Sequence, residues 1–102
     1  MIEKTIMISE ELYPNLGMNS VAADLFNEIN QSEFQKIIID FTNVVFISRS
    51  FTQEYLFQKL KTMKDIEEIN VPENVQKMFD VVSKDFVWLI KRKFKLGEFI
   101  GN

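Results

Sequence analysis

Residues 37–60 read IIIDFTNVVFISRSFTQEYLFQKL, from Ile37 to Leu60. Ile37, Ile38 and Ile39 are β-branched and apolar on both faces. That predicts a strand in the middle of a sheet, covered on both sides. Asp40 and Asn43 bracket its end. Val44 to Ile47 is either its continuation or a short neighbouring segment. A serine-bearing turn follows, then an amphipathic helix. Ser50-Phe51-Thr52-Gln53 has the form of a capping box: Ser50 bonds the amide of Gln53, and the Gln53 side chain reaches back. Leu56, Leu60 and Met63 fall on one stripe of this helix, with Phe57 beside it. Phe51 and Tyr55 lie further round, nearer its start.

Outward from this core the pattern alternates. Ile2 to Ile8 reads as a half-buried first strand. Glu10 to Met18 holds Pro14, Asn15 and Gly17 and reads as a loop or turn. Asn19 or Ser20 caps a helix whose buried face is Val21, Ala22, Leu25, Phe26 and Ile29. Ile66 to Val71 is a third strand candidate, weakened by Glu67 and Glu68, which suggest an edge or a partly exposed position. Asn70, Pro72 and Glu73 announce another helix, with Val75, Met78, Phe79 and Val82 on its stripe. Phe86 to Ile90 fits either a helix or a strand. Strand and helix in alternation predict an α/β fold with helices packed on a mainly parallel sheet. The sheet is expected to be mixed, because the first strand is free to pair differently.

The chain has 102 residues, the size of one domain, and ten of them are phenylalanine. It has no histidine and no cysteine. Zinc sites, Ser-His and Cys-His catalysis, disulfides and thiol chemistry are therefore not available within it. The cysteine-free composition suits a cytoplasmic protein. No secretory signal is read at the start, and Phe86 to Ile90 is too short to span a bilayer. Residues 1–83 carry 7 basic and 13 acidic side chains; residues 84–102 carry 5 and 2. The body is acidic and the tail basic, and an acidic body argues against nucleic-acid binding.

The central stretch resembles the STAS-like domain family, related to the sulfate-transporter and anti-sigma-factor-antagonist module. Asp40-Phe41 matches the strand end of that family and Val44 the apolar spacer. Ser48 to Ser50 matches the turn, and Phe51 with Glu54 the Phe-x-x-Glu pattern. NVPENVQKMFDVV, Asn70 to Val82, resembles the same branch's strand-to-helix junction. The resemblance covers residues 1–83 and leaves 84–102 as a basic, aromatic tail. It implies the STAS-like architecture and a non-catalytic, partner-switching role without a cofactor. It also implies a protein partner of the histidine-kinase-like ATPase kind. Counting from Asp40 puts the family's phosphoacceptor on Ser50. Asp40, Ser48, Arg49, Phe51, Thr52, Glu54 and Tyr55 then form the turn and the partner-facing surface.

Each of these residues also has a plainer reading. Ser50 as a helix cap is worth about 1 kcal/mol with no regulation. Arg49 pairs with a phosphate or is a solvated turn residue. Asp40 orients the turn through backbone amides, or forms a carboxylate pair with Glu54 in a small enzyme, the weakest of the readings. Lys91 to Lys95, interleaved with Trp88 and Phe94, binds an anionic partner, docks on the domain, or helps FVWLI form a dimer contact. An unphosphorylated assembly module, working as a homodimer or through an apolar surface, is the competing class of function.

Overall fold

The structure is a computed structural model that describes residues 3–11 and 15–85. In chain order its elements are β1 (Glu3–Met7), α1 (Ile8–Glu11), β2 (Asn15–Leu16), α2 (Asn19–Gln31) and β3 (Lys36–Asp40). Then come β4 (Phe46–Ile47), α3 (Arg49–Lys61), β5 (Asp65–Ile69) and α4 (Glu73–Lys84). The α/β class predicted from alternation is observed.

The main sheet has the order β1-β3-β5. Its triple-isoleucine strand is central, as the β-branched run predicts. Both of its pairings are parallel, β1 included, with Thr5 opposite Ile38 and Ile38 opposite Glu67. Among the described strands the sheet is therefore wholly parallel rather than mixed. The reason is connectivity. Each neighbouring pair is joined through a long helix, α2 or α3, and a crossover of that length returns the chain in parallel.

The order also decides the layering. The chain steps from β1 to β3 to β5 in one direction, so two right-handed crossovers put α2 and α3 on the same face. Ile37 and Ile39 are buried there with Leu25, Phe26, Ile29, Tyr55 and Phe79. Ile38 points the other way and is half-buried, between exposed Thr5 and exposed Glu67. The expectation of a strand covered on both sides thus holds for one face among the described residues.

α2 follows its predicted stripe, burying Ala22, Leu25, Phe26 and Ile29. Its N-cap is Met18, without a side-chain cap, rather than Asn19 or Ser20. Lys64 holds the other end, donating from Nζ to the carbonyls of Ser32 and Phe34 at 2.8 and 2.6 Å. α4 also follows its stripe, burying Val75, Phe79 and Val82. Two segments depart from the sequence reading. The first strand ends at Met7, and Ile8 begins a single helical turn that buries it fully. The expected loop contains β2, which pairs in parallel with β4. Val44 to Ile47 is thus partly a neighbouring strand and not a continuation of β3.

α3 departs most. Its predicted stripe is not the buried one: Leu60 and Met63 are exposed. The buried residues are Phe51, Thr52, Glu54, Tyr55 and Phe57. α3 packs against both α2 and α4. A helix covered on two flanks buries a wide arc, and one narrow stripe no longer describes it. The tail beyond Asp85, with its predicted docking or dimer contact, lies outside the described residues.

Candidate functional site

The amino end of α3 is built by three hydroxyls with separate duties. Ser48, not Ser50, is the N-cap. Its Oγ accepts from the Phe51 amide at 3.0 Å and donates to the Gly17 carbonyl at 3.0 Å. The Ser48 amide also donates to the Leu16 carbonyl at 2.8 Å. One serine thereby starts α3 and ties it to the β2 segment 31 residues earlier. Thr52 is fully buried and donates to the Ser48 carbonyl at 2.7 Å. Ser50 sits inside the first turn, exposed to solvent. No described residue hydrogen-bonds its hydroxyl. The capping box expected at Ser50–Gln53 is therefore not formed; the cap lies two residues earlier.

Both starts were open in the sequence, since Ser48 and Ser50 each precede a run of helix formers. Gln53 favoured Ser50 by the capping-box rule. The deciding contact is the long-range one to Gly17, which local spacing does not encode. Ser48→Ala is expected to cost about 1–2 kcal/mol, and Ser50→Ala less than about 0.5 kcal/mol, both read from urea unfolding.

The partner-facing set divides in the same way. Phe51 and Tyr55 are 0 % exposed and Glu54 5 %. With Thr52, they belong to the core and not to the docking surface assigned to them. Glu54 accepts from Gln58 Nε2 at 2.7 Å. Arg49 is half-exposed and reaches Asp85 at 3.8 Å, a loose surface pair. The apolar groups that do face solvent near this helix start are Met18, Val45 and Phe46. Val45 and Phe46 immediately precede the Ser48 cap, and Met18 follows the Gly17 that Ser48 grips. Sequence reasoning missed these three because they belong to the turn and to β4, where no periodicity marks them.

Asp40 is a turn-builder. It accepts from the Thr42 amide at 2.9 Å, the Thr42 hydroxyl at 2.6 Å and the Asn70 side-chain amide at 3.1 Å. Two asparagines complete these strand-end turns in left-handed backbone, Asn43 at φ 66° and Asn70 at φ 54°. The Thr42 hydroxyl, the Thr42 amide and the Asn70 amide together hold the Asp40 carboxyl below its usual range. A depressed carboxylate adds stability above its unfolded pKa, and this is lost as pH falls through the folded value. Asp40→Asn is expected to flatten the dependence of stability on pH below about pH 4, measured by denaturant unfolding across an acid series. Asp40 and Glu54 each have their own partners, and no contact joins them.

A second polar cluster lies between α3, β5 and α4. Glu68 accepts from the Tyr55 hydroxyl at 2.7 Å and from Lys59 Nζ at 2.9 Å. It borders a groove of about 200 Å³ lined by Leu56, Lys59, Val71, Phe79 and Asp80. Both Glu68 oxygens are engaged, so the cluster fastens α3 to the sheet. Among the described residues no group of three or more acidic side chains could hold a metal ion. No described helix is long and apolar enough to cross a membrane. Compared with family models, curated proteins and solved structures, the chain matches none.

Proposed function

We propose that this domain is a non-catalytic protein-interaction module whose docking is switched by phosphate on Ser50, in the manner of the STAS-like family it resembles. One observation carries the reading: of the three hydroxyls at the start of α3, Ser50 alone is exposed and takes no part in building the turn. Phosphate there leaves the Ser48 cap in place. It meets the positive end of α3 and the guanidinium of its neighbour Arg49. The folded domain accommodates it, while a partner seated on the turn meets about two new negative charges.

The surface that docks is Arg49, Ser50, Met18, Val45 and Phe46, in place of the buried Phe51, Glu54 and Tyr55. A histidine-kinase-like ATPase that transfers phosphate to Ser50 is the partner class, in the cytoplasm. Incubation with that candidate ATPase and ATP, followed by mass-spectrometric mapping, tests this. Phosphate is expected on Ser50 and absent from Ser48 and Thr52. Phosphate on Ser48, or none on the folded domain, counts against the proposal. The three solvent-facing apolar groups also support the competing reading of an assembly module. It predicts binding that Ser50→Asp leaves unchanged.

A further inference from the structure

Arg49 is the first residue of α3 and stands directly before Ser50. Its guanidinium lies 3.8 Å from the Asp85 carboxylate, and both side chains are about half exposed. At that separation no hydrogen bond forms, and exposed ion pairs of this kind hold weakly. The pair nevertheless joins two elements that pack on each other, α3 and α4. Asp85 is the C-cap of α4, and its amide donates to the Val82 carbonyl at 3.1 Å. A carboxylate at the carboxyl end of a helix meets the negative end of the helix dipole. Lys84 supplies one positive charge to that last turn from within α4, and Arg49 supplies another from α3.

We infer that phosphate on Ser50 takes Arg49 from Asp85, so that the modified start of α3 loosens the last turn of α4. This rests on the Ser50 reading above and adds what the phosphate does inside the domain. The strengths of the two anions decide the exchange. Phosphoserine brings about two negative charges and three acceptor oxygens to the residue next to Arg49. Asp85 offers one charge, held beyond hydrogen-bond range. A guanidinium presents its donors as a planar fork, which grips a phosphate through two hydrogen bonds at once. The start of α3 stays built, because the Ser48 cap bonds the Phe51 amide and does not use the Arg49 side chain. Asp85 loses the cation that α3 supplied while still facing the α4 dipole. The last turn of α4 then opens more often.

Amide hydrogen exchange of the full chain, with phosphoserine encoded at position 50, tests it. The amides of Ser83, Lys84 and Asp85 are expected to exchange about two- to fivefold faster in the phosphorylated protein. Arg49→Gln without phosphate is expected to raise exchange there by the same factor, and phosphate should add nothing further to that variant. Amides from Val75 to Phe79, in the middle of α4, should be unchanged in all four proteins. Exchange that phosphate leaves unchanged overturns the inference, as does phosphate acting equally in Arg49→Gln and in the wild type. A rise spread along the whole of α4 overturns it in favour of general destabilisation. Because the phosphate is encoded, these outcomes do not depend on any ATPase. Failure of an ATPase to modify Ser50 bears on the proposed function alone.

Discussion

Tyr55→Ala is expected to destabilise the domain by about 3–5 kcal/mol, which is a large share of the ~5–15 kcal/mol that a domain has in total. Tyr55 is fully buried and joins every layer of the helical side. Its ring meets Phe26 of α2 edge-on at 5.3 Å and Phe41 of the β3–β4 turn edge-on at 6.1 Å. It stacks with Phe51 at 6.0 Å and with Phe79 of α4 at 5.5 Å. Removing it opens a cavity at the meeting point of four aromatic side chains, which cannot all collapse inward. On a domain of this size the melting temperature should fall by roughly 15–30 °C.

Tyr55→Phe separates packing from polarity. It keeps the ring and deletes the hydrogen bond to Glu68, for an expected cost of about 1–2 kcal/mol. Burial, the Glu68 charge and the Glu68 hydrogen bond hold the Tyr55 hydroxyl well above its ordinary pKa. A raised pKa means that the stabilisation is complete below the unfolded value, near 10.0, and is lost as pH rises towards the folded one. The wild type should therefore lose stability above about pH 10, and Tyr55→Phe should lack that component. Urea unfolding across the alkaline range measures both. Equal slopes in the two proteins would contradict the assignment.

Phosphoserine at position 50 is expected to weaken partner binding about a hundredfold, or ~2.8 kcal/mol, while leaving the domain folded. Apolar Met18, Val45 and Phe46 surround a turn that gains about two negative charges. A partner that desolvates this surface cannot leave those charges unpaired without a large penalty. Ser50→Asp, with one charge and a shorter reach, should show a smaller loss of about tenfold. The same charge placed at Ser48 should act on stability instead, since it displaces the cap and the tie to Gly17.

Much of this architecture was legible because it rests on periodicity and β-branching. The central strand at Ile37–Ile39, the stripe of α2 and the stripe of α4 each bury one face, and a one-sided pattern is written plainly in sequence. α3 was misread because it is covered from two sides, which turned Phe51 and Tyr55 from surface to core. The strand order, which puts no described helix on the outer face of Ile38, is set by crossover connections that no local window contains. Ser48 was passed over as cap because its second bond reaches Gly17, across 31 positions. The serine-bearing turn before α3 was legible from the residues themselves. The division of labour among its hydroxyls needed three-dimensional contacts.

The most direct test is a binding titration of the full chain against the proposed ATPase-type partner, comparing unmodified protein with protein carrying phosphoserine at position 50. Loss of affinity by about two orders of magnitude, with an unchanged folded spectrum, is the predicted result. Equal affinity of the two forms would contradict the switch at Ser50.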